Sequence, residues 1–247
     1  MSMPSLVFIP VYNEEKNIRQ IIGQIRQLPY DLDVLVIDDG STDNTKAILR
    51  KIPAIHTIFH GVNQGYGQTL LDGFDYAIEE GYENVITIDS DKQHQPEEIP
   101  VFLEAAKGNH PDILSGSRYL QAGEATYRKA PPDRVKVNRR ITKKINSITG
   151  YHLTDAFCGF KLYRVDALKK LYLTEQGYGM PLQLWMQAWR KGLSVEEIPV
   201  ELIYISHAPA DTPGALTNLF RRYRYYLQII EKEKEPYETS GISRPSR

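Results

Sequence analysis

Val85-Ile86-Thr87-Ile88-Asp89-Ser90-Asp91-Lys92-Gln93-His94 is an apolar, β-branched run that ends abruptly in two carboxylates. Val85 to Ile88 has the composition of a strand that a sheet buries on both faces. Asp89 and Asp91 stand where that strand stops, with Lys92 to Pro96 as a polar loop behind them. Carboxylates spaced i, i+2 on an extended segment point the same way. Without a cation they repel, and one is forced to keep a proton. A divalent ion with hard oxygen ligands, Mg²⁺ or Mn²⁺, removes that conflict, and its open positions suit a diphosphate. The plainer alternative is an acidic turn capping a helix that starts at Pro96-Glu97-Glu98-Ile99. Asp-x-Asp alone does not decide between them.

Upstream of this run the chain alternates apolar strands with helical patterns. Leu6 to Val11 reads as a strand, with Pro10 tolerated near its end. A helix is expected from Glu14 to Leu28, capped by Asn13, with Ile18, Ile21, Ile22 and Ile25 on one face. Leu32 to Ile37 is a second strand ending in Asp38-Asp39-Gly40-Ser41-Thr42-Asp43, where Ser41 or Asp43 can cap the helix through Ile48 and Leu49. Ile55 to Phe59 is a third strand, followed by the glycine-rich loop His60 to Gly67 and a helix from Gln68 to Glu80. This alternation predicts an α/β, doubly wound, mostly parallel sheet. Such sheets bind ligands beyond the carboxyl ends of their strands. Here those ends carry Pro10 to Glu14, Asp38 to Ser41 and Asp89 to Gln93. No Gly-x-Gly-x-x-Gly follows the first strand, which argues against a hydride-transfer dinucleotide fold.

Downstream, Ile113 to Tyr119 is a strand that carries Arg118. Residues 121 to 136 are polar and contain Pro131-Pro132, the pattern of a mobile loop. Val135 to Ile148 is a basic helix with Arg134, Arg139, Arg140, Lys143 and Lys144 on or beside it. It is either a solvated face or, with Arg118, an anion site beside a diphosphate. Thr154 to Tyr163 is a turn into a strand, Gly177 to Trp189 an apolar helix, and Val195 to Ile205 a strand with Pro199. Ser206 to Gly214 reads as a linker or lid. The last helix, Ala215 to Lys232, puts Leu216, Leu219, Phe220, Tyr223, Leu227 and Ile230 on one stripe. Docking onto the sheet is expected of it, and its arginines also suit a membrane surface. The expected organisation is a catalytic domain over 1–205, a linker and amphipathic helix over 206–235, and a disordered tail over 236–247.

The formal charge is 30 − 31 = −1, so no global field draws nucleic acid or a bilayer. The single cysteine, Cys158, excludes an internal disulfide framework and fits a reducing compartment. No signal-peptide pattern and no run near the ~20 apolar residues of a membrane helix is present. A cytoplasmic protein is expected, with peripheral contact at the inner face of the membrane left open.

Five motifs occur in order: Phe8-Ile9-Pro10-Val11-Tyr12-Asn13-Glu14, Val36 to Asp43, Asn63-Gln64-Gly65-Tyr66-Gly67, Asp89 to Glu97, and Gly116-Ser117-Arg118-Tyr119. Together they resemble a family 2 glycosyltransferase of GT-A fold, of the kind that makes dolichol- or polyprenol-phosphate mannose or glucose. Asp155 to Tyr163 is similar to that subgroup's Asp-x-x-Ser-Gly-Phe-Arg/Lys-x-Tyr segment, with Cys158 in the serine position. The resemblance implies that Pro10, Tyr12, Glu14 and Asp39 line a nucleotide pocket with Gly65 and Asp89 beside them. It implies that Asp89, Asp91 and Gln93 hold Mg²⁺ or Mn²⁺ on the diphosphate of a nucleotide-sugar donor. It also implies that Asp91, Arg118 and Arg134 serve catalysis, the arginines meeting a phosphate on the acceptor.

The acceptor question turns on a base. A sugar hydroxyl needs a carboxylate to take its proton, whereas a lipid monophosphate is already anionic near pH 7. Gly177 to Trp185 contains no acid, which favours a polyprenyl or dolichyl phosphate over a glycan hydroxyl. Asn138 stands where the subgroup has a serine, and Ile205 to Pro209 lacks the subgroup's later arginine. A nucleotide-sugar-binding protein without transfer activity is the alternative, and a homo-oligomer or a membrane partner is left open.

Overall fold

In the computed structural model, which describes residues 5–108, 111–121, 129–203 and 219–234, the strand-end acids share one edge of a seven-stranded sheet. The strands are β1 (Ser5–Val11), β2 (Leu32–Asp38), β3 (His56–Phe59), β4 (Asn84–Thr87), β5 (Ile113–Ser117), β6 (Lys161–Arg164) and β7 (Val195–Pro199). Their order is β3-β2-β1-β4-β6-β5-β7. Neighbours are parallel except around β6, which runs antiparallel to both β4 and β5.

The alternation along β1 decides the layers. Leu6 and Phe8 face one core, Val7, Ile9 and Val11 the other, and all are essentially inaccessible. A strand buried on both faces needs a continuous apolar run, which Leu6–Val11 of β1, Val34–Ile37 of β2 and Val85–Ile86 of β4 supply. Helices α1 (Ile18–Arg26), α2 (Thr45–Leu49) and α4 (Ile99–Lys107) cover one face. Helices α3 (Tyr66–Glu79), α5 (Pro132–Thr149), α6 (Val165–Leu168) and α7 (Met180–Arg190) cover the other, joined by α8 (Leu219–Lys232).

Three expectations change. Helix α1 begins at Ile18, not Glu14. Asn13 has φ +58°, outside helical space, and the Glu14 amide donates to Thr45 Oγ1 at 2.9 Å, so residues 13–17 form a turn. Helix α5 begins at Pro132, whose missing N–H suits a first helical turn. Among the described residues of α8 the expected stripe fails only at Phe220, which is 66% exposed: Ile230 is buried with Tyr226 and Ile229, and Leu219, Tyr223 and Leu227 pack against the same core. That helix meets α5 and α7 chiefly, covering helices where sheet contact was expected. The linker and the tail fall on residues outside the described ones, as do Leu216 and residues 122–128 of the 121–136 loop, whose last residues from Pro132 are helical. Among the described residues no helix is long and apolar enough to cross a membrane.

Candidate active site at the strand ends

The ends of β1 and β2 are laced together. The Asn13 amide donates to Ser41 Oγ at 2.8 Å, the Thr42 amide to Asn13 Oδ1 at 2.8 Å, and the Glu15 amide to Asp43 Oδ2 at 3.2 Å. Pro10 is buried and its carbonyl accepts from Ser90 Oγ at 3.1 Å, which ties β1 to the β4 end. Tyr12 and Glu14 are half-buried at the same edge.

Asp39 is buried and holds the glycine-rich loop. Its Oδ1 accepts from the Gln64 amide at 2.8 Å and lies 2.7 Å from His60 Nδ1; its Oδ2 accepts from the Gly65 amide at 2.9 Å. The expectation that Asp39 lines a nucleotide pocket is therefore joined by a loop-bracing role. His60 Nε2 lies 3.0 Å from Asp72, so one imidazole bridges two carboxylates. Next to it, Asp38 Oδ1 accepts from the Ser41 amide, and Asp38 Oδ2 is buried without a hydrogen-bond partner. Gly65 has φ +104°, and a Cβ there would lie 2.7 Å from the Gln176 carbonyl oxygen. Only glycine fits that conformation and approach.

At the end of β4, Asp89 and Asp91 follow Thr87 within one short loop, turned by Lys92 at φ +62°. Asp89 Oδ1 accepts from Tyr66 Oη at 3.2 Å. Gly159 gives Asp89 its room: a Cβ at Gly159 would come within 2.4 Å of a carboxylate oxygen. Gln93 braces Asp91 twice, by its amide to Oδ1 at 3.0 Å and by Nε2 to Oδ2 at 2.6 Å. The residue expected as a third metal ligand thus turns its side chain onto the second. The buried His94 accepts from the Asp89 amide at Nδ1, 3.2 Å, and faces Cys158 Sγ at 3.7 Å. Accepting there requires a neutral ring, and burial lowers its pKa to about 3. Cys158 is buried, and burial pushes its thiol up to about 12, so it packs rather than reacts.

The carboxylates crowd one another. Burial raises Glu14 to about 7, with the charges of Asp91, Asp43 and Asp89 adding to it. Burial raises Asp91 too, and Asp89 raises it further. Burial likewise raises Asp89, opposed by Tyr66 and the fields of Lys161 and Arg118. A divalent cation would relieve this repulsion, and two hard-oxygen side chains leave positions for diphosphate oxygens and water. The residues present fit such an ion, although no group of three acid, histidine or cysteine ligands occurs among the described residues.

The opposite wall is cationic. Arg118, at the end of β5, donates to Asp155 from Nε at 2.6 Å and from a terminal nitrogen at 3.0 Å. Asn138, in the position of the expected serine, donates to Asp155 Oδ1 at 2.7 Å. Burial works against the Asp155 charge, yet Arg118 outweighs it and brings the carboxyl down to about 2. Arg118 is therefore held by a buried bidentate pair. Arg134 lies exposed in the first turn of α5, and its charge acts on Tyr178, which also feels Asp89 and Asp39. Tyr178 stacks on Tyr66, centroids 5.8 Å apart at 13°. Lys161 is buried on β6 with Nζ on the Cys158 carbonyl and over the Trp185 ring.

Sequence reasoning passed over Tyr66, Tyr178, His60, Asp155 and Lys161 as site residues. Tyr66, Asp155 and Lys161 lay inside motifs already recognised, but nothing local says what they touch.

A mostly parallel α/β sheet with acids, a glycine loop and cations around its strand ends is the architecture of the GT-A glycosyltransferases. The glycosyl transferase family 2 profile matches residues 6–172, and the chain belongs to that family. It is 31% identical over 204 residues to the polyprenol monophosphomannose synthase of Mycolicibacterium smegmatis, covering 79% of this chain and 76% of that one. It is 26% identical over 242 residues to the UDP-N-acetylglucosamine–dolichyl-phosphate N-acetylglucosaminyltransferase of Methanococcus voltae, covering 91% and 94%. The fold superposes on Mycobacterium tuberculosis glucosyl-3-phosphoglycerate synthase, solved with Mn²⁺ and UDP, with a TM-score of 0.71 at 18% identity, covering 96% of this chain and 82% of that one.

Proposed function

We propose that the chain transfers a hexose from GDP-mannose or UDP-glucose to a polyprenyl phosphate, with inversion and with a divalent cation. The observation that carries this reading is the opposition of the Asp89–Asp91 carboxylates to Arg118 and Arg134 across one strand-end site. One side suits a metal-bound diphosphate and the other an anionic acceptor. Relatives named for transfer to polyprenyl and dolichyl phosphates support the same acceptor class.

In the step proposed, an acceptor phosphate oxygen forms the new bond to the anomeric carbon. The bond from that carbon to the nucleoside diphosphate breaks, and its electron pair leaves with the diphosphate. No proton need be removed. The nearest acid on the Thr174–Tyr178 segment agrees with this: Glu175 is held by Tyr225 Oη at 2.5 Å and the Gly177 amide at 3.0 Å. When bound at Asp89 and Asp91, Mg²⁺ or Mn²⁺ would supply charge neutralisation at the leaving group. Asp39 and Gly65 set the loop against the donor, and Tyr66 orients Asp89. A lipid acceptor calls for contact with the inner face of a membrane, direct or through a partner.

Calorimetric titration of GDP-mannose, UDP-glucose and the free diphosphates, with Mn²⁺ and with chelator, tests the donor side. Labelled-sugar transfer to a short polyprenyl phosphate tests the reaction. Metal-dependent binding without transfer to any phosphate or glycan would move the assignment to a nucleotide-sugar-binding protein.

A further inference from the structure

Helices α5 and α8 lie side by side with their first turns at the acceptor wall. Toward the far end, Lys144 of α5 lies 3.6 Å from Glu231 of α8. Toward the near end, the charges of Arg222 and Arg134 both act on the Tyr226 hydroxyl, as does Tyr178. Arg134 is in the first turn of α5 and Arg222 in the first turn of α8. Tyr226 packs on Phe157, ring centroids 4.9 Å apart, two residues from the Asp155 that grips Arg118. Arg134 of α5 and Arg222 of α8 thus act on one tyrosine, Tyr226, and Arg134 acts also on Tyr178, which feels Asp89.

The surroundings of the arginines differ. Arg118 has a carboxylate. Arg222 is half-buried, and its Nε is buried without a hydrogen-bond partner. A buried guanidinium N–H left unpaired loses its hydration without recompense, so native structures nearly always give it an acceptor. Tyr226 cannot neutralise it: burial raises the phenol, which stays uncharged. The group that satisfies a guanidinium in such a place is an oxyanion, bound through its planar fork. The first turn of α5 adds a favourable dipole for the same charge.

We propose that Arg222 binds a phosphomonoester, completing with Arg134 an acceptor-phosphate site that spans α5 and α8. This deepens the phosphate-acceptor reading and rests on it for the ligand's role. The helix outside the matched family region then becomes part of the site, supplying an arginine to a chain that lacks one at 205–209. The phosphate can belong to a lipid or to a small soluble phosphoacid, and the chemistry recognised is common to both.

The test measures binding of farnesyl phosphate, 3-phosphoglycerate and inorganic phosphate to the full chain by calorimetry, for wild type, Arg222→Gln, Arg222→Lys and Lys143→Gln. Expected is a loss of about 10- to 100-fold in phosphomonoester affinity for Arg222→Gln, the scale of one hydrogen bond to a charged group. Arg222→Lys keeps the charge but not the fork and should fall between, with donor affinity unchanged. Lys143, exposed on α5, serves as the control for general charge and should change nothing. Wild type that binds none of the three ligands overturns the proposal. So does an Arg222→Gln that binds as wild type, or a Lys143→Gln that weakens binding equally. If Arg222→Gln does not fold, Arg222→Lys carries the decision, and undiminished affinity in it overturns the assignment. Preference for farnesyl phosphate over 3-phosphoglycerate identifies the lipid source. Arg222-dependent binding with no sugar transfer would sink the transferase reading and leave this site standing. Transfer with an unchanged acceptor KM in Arg222→Gln would do the reverse.

Discussion

On the donor wall, Asp38, Asp39, Asp89 and Asp91 each stand within four residues of the strand that places them. On the acceptor wall, Arg118 takes its orientation from Asp155, 37 residues away, and Asp155 is held in turn by Asn138 from α5. Tyr178 is placed by stacking on Tyr66, and Arg222, the residue proposed to join this wall, by a helix packed on other helices. The donor wall is a property of strand ends, the acceptor wall a property of packing. The first should tolerate loss of its acids with the fold intact; the second should not tolerate loss of its buried acid.

The largest effect expected is on the donor wall. Asp91→Ala should lower both sugar transfer and donor hydrolysis by roughly 10³-fold, the scale of removing a preorganised charge-stabilising group. Its circular dichroism should match wild type; an unfolded variant would erase the contrast between the walls. On the acceptor wall, Asp155→Ala leaves Arg118 buried without its partner. Breaking such a pair costs about 3–5 kcal/mol, read as a lower urea midpoint. The pH dependence has a definite sign. The folded Asp155 carboxyl lies at about 2, below the ordinary value near 3.9. Its stabilisation is complete above about pH 4 and is lost as pH falls through about 2, so wild type and Asp155→Ala should converge in acid. A constant gap between pH 7 and pH 2 would show that packing, not charge, holds that wall.

Smaller effects sharpen the join between the walls. Gly65→Ala forces a side chain to φ +104° against the Gln176 carbonyl, at about 1–3 kcal/mol. Donor KM should rise more than acceptor KM, since the loop is tied to Asp39. Tyr66→Phe removes only the 3.2 Å hydrogen bond to Asp89 and keeps the stack on Tyr178. One such bond contributes about 0.5–1.5 kcal/mol, so kcat should fall by roughly 2- to 10-fold with the melting temperature little changed. Loss of acceptor affinity in that variant would mean that Tyr66 serves the other wall.

Most of the sheet was legible because a strand buried on both faces carries a continuous apolar run. Each strand was foreseen to within a few residues except the last, which ends at Pro199 rather than Ile205. Helix starts were less legible. The turn at residues 13–17 depends on acceptor oxygens of Ser41, Asp43 and Thr45, which no local pattern announces. The stripe read on the last helix held at Ile230 and, half-buried, at Leu219, Tyr223 and Leu227, but it placed Phe220 inside and left out Tyr226 and Ile229, which contact with α5 and α7 buries. Helical periodicity offers several overlapping stripes, and the neighbour selects one.

The sequence by itself determined the parallel sheet, the family and the acids at the strand ends, because apolar periodicity and motif spacing are local properties. Tertiary structure alone decided that Asp39 braces the glycine loop, that Gln93 turns onto Asp91, that Asp155 occupies Arg118, and that Arg222 of α8 and Arg134 of α5 act on one tyrosine. Those pairings join residues far apart in the chain, and only packing brings their charges within reach.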